Sequence, residues 1–158
     1  MSAPKPIEIA VGHAEAEGDA VVAAVHAYWR GLIGGGVPPR KTFDFMAVYQ
    51  HAPHLLMSER VDRETFKFVY CGTAVAENFP LDLTGKSYGP ETPRVSKVPW
   101  PTLFNSVLDI PCVRFGKWPI DWAGPRYAAV LFSACPLSGD DGAPRFALAT
   151  LRFVGRRD

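Results

Sequence analysis

Two periods of apolar and polar positions run along the chain, one helical and one of strand type. From residue 19 the period is helical: Val21, Val22, Val25, Tyr28, Trp29, Leu32 and Ile33 trace one broad helix face. Asp19 stands where an N-cap is needed, its carboxylate placed to accept from the orphan N–H groups of the first turn. His26 and Arg30 fall off this stripe, and Gly34-Gly35-Gly36 is the expected stop. Such a helix is about 22 Å long. Its aromatic pair asks for a large partner surface.

Strand patterns follow. Residues 55–61 and 66–71 read as an antiparallel hairpin across the polar turn Asp62-Arg63-Glu64-Thr65. Between the helix and this hairpin, residues 37–40 are extended linker and residues 45–51 a shorter helical stretch ended before Pro53. Gly72 breaks the second strand, and residues 73–79 form a short helix with Thr73 as N-cap. Pro80 stops it, because a residue before proline is pushed from the α region. Asp82-Leu83-Thr84-Gly85 is a turn, with Gly85 able to take positive φ. Residues 88–101 are proline-punctuated and without period. Leu103, Phe104, Val107 and Leu108 then mark a helix over residues 100–108, and residues 112–117 are a strand candidate. The clearest strands are residues 126–135 and 145–154, joined through the Asp141-Gly142 turn signal.

Both of these last strands are apolar on both faces. Tyr127, Ala129, Leu131 and Cys135 alternate with Ala128, Val130, Phe132 and Ala134. A strand apolar on both faces is covered on both. The short helices serve one face, so the helix from residue 19 is expected on the other, in its own subunit or across a dimer. Val22, Val25, Trp29 and Leu32, with Val130 and Phe132 of the sheet, are the expected interface residues.

Composition adds bounds. The 158 residues suit one domain, residues 19–154, after a loosely ordered arm over 1–18 and before a polar tail over 155–158. In the arm, Ile7, Ile9 and Val11 alternate and hint at a short strand. Hydrophobic content of 47% and charge of 21% are those of a globular protein. A net charge of +1 gives no general electrostatic case for nucleic acid. Cys71, Cys112 and Cys135 are odd in number and widely spaced, which favours buried reduced thiols over disulfide or metal roles. The first ten residues lack a signal-peptide run, and no stretch reaches the roughly 18 apolar residues of a membrane span. The expected location is the cytoplasm.

Candidate chemistry is sparse. Gly85-Lys86-Ser87 resembles the end of a phosphate loop, but Pro80 stands at the earlier glycine position and Gly89-Pro90 follows instead of a helix. His51 and His54 share a helical spacing with Asp44 and Glu59 nearby, yet Pro53 interrupts them and no full ligand set emerges. Cys71 and Ser133 lack a partnered base, and Asp140-Asp141, Glu15 and Glu17 are explained by loops. No enzyme is expected. Trp100, Phe104, Trp118 and Trp122 cluster in irregular segments, where large rings fill a core or line a cavity.

The run Tyr70-Cys71-Gly72-Thr73, the short helix after it and the turn at residues 82–85 resemble the central segment of a bacterial family of single-domain PAS proteins. Tyr28-Trp29, the glycine run, Pro38-Pro39-Arg40, Pro136-Leu137 and Asp141-Gly142 extend the resemblance over residues 19–154. Pro80, often Gly in such sequences, and the segment between Gly85 and Pro111 depart from it. The resemblance implies an α+β fold: a five-stranded antiparallel sheet with short helices over one face, and here an N-terminal amphipathic helix. It implies a sensory or signalling module relaying to a partner protein, with Tyr70, Val75, Phe79, Trp100, Phe104 and Leu108 around a pocket for a small, largely apolar ligand. A homodimer is expected. The alternative is an adaptor or dimerisation module without ligand. The sequence requires no cofactor, and haem and flavin stay open, although residues 86–158 hold no histidine for an axial ligand.

Overall fold

Asp19 caps the helix that follows it, as its position suggests: its carboxylate accepts from Val21 N at 3.0 Å and Val22 N at 3.1 Å. The structure, a computed structural model, describes residues 8–10, 12–34, 36–78, 85, 87–88, 100–120 and 127–155. In chain order these hold β1 (Glu8–Ala10), α1 (Ala14–Glu17), α2 (Ala20–Gly31), β2 (Leu55–Asp62), β3 (Thr65–Cys71), α3 (Thr73–Asn78), β4 (Ser87–Tyr88), α4 (Trp100–Leu108), β5 (Arg114–Pro119), β6 (Ala129–Ser138) and β7 (Pro144–Val154). Three short 3-10 turns, Arg40–Thr42, Phe45–Val48 and Ala52–His54, lie between α2 and β2.

All strand pairs are antiparallel, in the order β1-β5-β6-β7-β2-β3-β4. The five longer strands β2, β3, β5, β6 and β7 form the body of this α+β fold, and β1 and β4 extend its edges. These two strands, beyond the five expected, are only 3 and 2 residues long. The stretch expected as a loose arm supplies β1 and α1, tied to β5 by Lys117 Nζ donating to Glu15 at 2.8 Å.

Several local expectations shift by a few residues. α2 stops at Gly31, before the glycine run, because the last turn tightens: Leu32 N donates to Trp29 O and Ile33 N to Arg30 O. β6 runs from 129 to 138, through Pro136. Its neighbour β5 pairs only as far as Ala134, so the missing N–H of Pro136 breaks no ladder bond on that side. The Pro136 carbonyl there accepts from Trp29 Nε1 at 2.9 Å. Gly85 and Gly142 both take positive φ, 77° and 83°, where a side chain would be strained.

The sheet has two covered faces. One carries α4, with Val75 of α3 packed into the same cluster; the other carries α2 within the same chain. Alternation along β6 divides as the pattern requires: Val130, Phe132 and Ala134 face α4, while Leu131, Cys135 and Leu137 face α2. Two residue assignments need correction. Val130 and Phe132 are fully buried under α4, on the opposite side from Val22, Val25, Trp29 and Leu32, so the six do not form one interface. His26 does not fall off the stripe of α2. It lies one turn from Val22 and is half-buried, with its ring edge-on to Phe115 at 5.1 Å.

Candidate functional site

The face under α3 and α4 begins at β3. Phe66 and Phe68 point into it, and simple alternation would send Tyr70 after them. The register shows otherwise: Ser58 pairs with Phe68 but Met57 with Tyr70, leaving Val69 as the extra residue of a bulge. That extra residue turns Tyr70 to the α2 face. There its ring meets Phe45 at 4.5 Å and its hydroxyl donates to Ala52 O at 3.0 Å. Tyr70 is therefore removed from the expected pocket group.

Gly72 explains the break after β3. A Cβ there would collide with the carbonyl oxygens of Pro53 and Ala52. Only glycine lets the chain pass so close to the Ala52–His54 turn before α3 starts. α3 sends Val75 inward, and α4 sends Trp100, Leu103, Phe104, Val107 and Leu108. Four of the six expected pocket residues, Val75, Trp100, Phe104 and Leu108, thus share one cluster. Phe79 lies outside the described residues, as do Trp122 and residues 82–84 of the expected turn.

Trp118 is held more firmly than its sequence surroundings suggest. Expected in a loop, it sits in β5, is 1% exposed, and packs on Phe132 at 4.6 Å and Trp100 at 6.0 Å. Trp100 also stacks on Phe104 at 5.4 Å, and Phe104 meets Phe66 at 5.4 Å. The described space between sheet and α4 is filled by rings. Ser58 Oγ, Arg114 Nε and Trp118 Nε1 are buried on this face without a hydrogen-bond partner. Ser58 lies on β2 and the others on β5, with β6 and β7 between, so the three do not converge.

At the rim, Arg60 donates to Asn105 at 2.9 Å and to Asp109 at 2.7 Å, Arg63 pairs with Asp109 at 2.7 Å, and Asn105 Nδ2 donates to Arg63 O at 2.6 Å. The Arg60 hydrogen bond leads in holding the Asp109 carboxyl below its ordinary range. The network fastens the β2–β3 turn to the end of α4.

The chemistry around this site is limited. Among the described residues, no group of three or more His, Cys, Asp or Glu side chains is placed to hold a metal ion. Ser133 is fully buried, and burial pushes the Cys135 thiol up, away from the thiolate a nucleophile needs. His54 and His26 are both held below the ordinary histidine value, first by burial. An open cleft of about 510 Å³ lies elsewhere, among Arg40, Lys41, Glu59, Asp140, Asp141 and Arg145, with charges of both signs. No described helix is long and apolar enough to cross a membrane. Comparison with family models, curated proteins and solved structures finds no match. The geometry alone carries the functional reading.

Proposed function

We propose that this chain is a cytoplasmic, non-catalytic PAS-like signalling module that relays to a partner protein, with α2 as the relay. The observation that carries the reading is the layering: an antiparallel sheet with α4 and α3 over one face and α2 over the other. It agrees with the architecture implied by the resemblance at residues 70–73. A change on one face of a single sheet strains the other, since packed layers transmit displacement.

In the sensor form of this reading, a small apolar ligand lies between the sheet and the short helices, beside Val75, Trp100, Phe104 and Leu108. A specific observation favours the second form, an interaction or dimerisation module without ligand: the described part of that space is occupied by Trp100, Phe104, Trp118 and Phe132. Native mass spectrometry of the purified protein, followed by organic extraction, separates the two. A retained small molecule supports the sensor; a bare mass and an empty extract support the interaction module. A coloured preparation would bring haem or flavin back.

The relay itself is tested by deleting residues 1–33 and measuring solubility, stability and light scattering. Loss of α2 should expose Leu55, Met57, Cys135 and Leu148 and drive self-association. A truncated protein that stays soluble, monomeric and equally stable would end the α2 route.

A further inference from the structure

The open cleft of about 510 Å³ has no part in the reading above. Sheet forms its floor: Glu59 of β2 lies directly opposite Phe146 of β7, and Phe146 packs with the cluster on the α2 face. One wall is the 3-10 turn Arg40–Thr42, which brings Arg40 and Lys41. The other is the β6–β7 turn with Gly139, Asp140 and Asp141, and Arg145 just beyond it. A cleft of this size falls in the range that small ligands occupy.

Both walls are fixed by the chain itself. Residues 37–39 are stapled to the end of β6: Ser138 N donates to Pro38 O at 2.9 Å and Ser138 Oγ to Val37 O at 3.3 Å. Thr42 closes the turn that follows, its N–H and hydroxyl both donating to Pro39 O, at 3.0 and 2.7 Å. Opposite, Gly139 N donates to Ala143 O at 2.9 Å, and Ala143 N to Asp141 Oδ1 at 3.0 Å. Arg145 lies close over Gly139, where a Cβ would come within 3.3 Å of its Cδ. Order already in place lowers the cost of binding.

The charges in the cleft balance, yet they are held apart. Three cations, Arg40, Lys41 and Arg145, share it with three carboxylates, Glu59, Asp140 and Asp141. Among the described residues none of the six is joined in an ion pair. Arg40 is held instead over the Phe45 ring, 5.5 Å from its centroid, and that ring is tilted against Tyr70. Glu59 is fixed on the sheet by its register. Both are half-buried, so a charge placed beside either is screened less than at the open surface. A ligand of one sign would be repelled by half of these groups. A ligand carrying both signs would be held by all of them.

We infer that this cleft is a binding site for a small zwitterion of the amino-acid class, with Arg40 taking the carboxylate and Glu59 the ammonium. A guanidinium matches a carboxylate through paired N–H donors. Phe146, beside Glu59, offers apolar surface to the rest of the molecule. The site lies away from the face of Val75, Trp100, Phe104 and Leu108, and it stands or falls independently of the pocket and the relay.

The test is an amide-shift titration of the isotope-labelled full chain at neutral pH. Each common amino acid is added to about 10 mM, with succinate and putrescine as controls that carry one sign only. At least one amino acid should give saturable shifts centred on residues 40–42, 59 and 139–146, with a Kd of about 1 mM or lower. Succinate and putrescine should bind at least about tenfold more weakly. Arg40→Gln and Glu59→Gln should each weaken the binding about tenfold or more, the loss of one charge-assisted contact. Lys67→Gln, opposite Glu59 in register but outside the cleft, should leave it unchanged. No saturable shift at the cleft with any amino acid would overturn the site. So would a single-sign control binding as tightly, or a folded Arg40→Gln or Glu59→Gln protein binding like wild type. The controls on the wild-type chain keep the test decisive should either variant fail to fold.

Discussion

The sheet is covered twice, and the two covers differ in kind. Under α4 the contact is a mesh of rings, Trp100, Phe104, Trp118, Phe132, Phe66 and Phe68, each buried and each touching another. Under α2 the contact is mixed: Val25, Trp29 and Leu148 share the face with Ser133, Thr150 and the Asp19–Arg152 pair. The α4 face also buries polar side chains, but these are dispersed across the sheet, whereas Ser133 and Thr150 on the α2 face lie directly opposite each other. Apolar area resists opening in proportion to its size, and buried polar side chains add less to that resistance. The α4 layer should therefore behave as the core and the α2 layer as the moving part.

The largest effect should come from the ring mesh. Phe104→Ala should lower unfolding free energy by about 3–5 kcal/mol in urea titration. A loss below about 1 kcal/mol would mean that the ring lines a hydrated cavity, and the contrast between the faces would collapse. Next comes Gly72→Ala, which acts on both layers at once. Its Cβ would meet carbonyl oxygens of the Ala52–His54 turn, so the backbone must shift, at a cost of roughly 1–3 kcal/mol or more. The same unfolding titration measures it. A Gly72→Ala protein as stable as wild type would show that this turn is not fixed against α3.

These positions also show what the sequence makes legible. The Asp19 cap, the apolar face of α4 and the two-faced alternation of β6 can be read, because each depends on neighbours within a few residues. Tyr70 cannot be placed, because one bulged residue, Val69, reverses every assignment after it, and the bulge is defined by the partner strand. Trp118 escapes for a similar reason: flanking Gly116 and Pro119 read as loop, and only pairing with Val130 makes the residue a strand position. The polar pair on the α2 face is invisible for the most basic reason. Ser133 and Thr150 are distant in sequence and meet only through register.

A smaller change probes the α2 layer alone. Trp29→Phe keeps most of the ring but leaves the Pro136 carbonyl without its donor. The expected cost is about 1–2 kcal/mol, seen as faster exchange in α2 with β6 and β7 little changed. If β6 loses protection in step with α2, the helix is part of the core and the contrast fails.

The smallest expected effect sharpens the contrast by pH. Around α4, the shifted carboxyl is Asp109, held low chiefly by its hydrogen bond to Arg60. A carboxyl lowered in the folded state contributes stability above its ordinary pKa of about 3.9 and loses it as pH falls through the lowered value. Between pH 8 and 5, then, Asp109 stays ionised and the α4 layer should not respond. The α2 layer, with His54 and His26 both lowered, should begin to loosen below about pH 6.5. Exchange of the α4 amides from Leu103 to Leu108 should stay level over this range while that of α2 rises. Asp109 is solvent-exposed, so even its low-pH contribution should be modest, and about 1 M salt should erase most of it by screening. Loosening of α4 above pH 5 in parallel with α2 would mean that one titration governs both layers. The two faces would then open as a single unit, with no separate moving part.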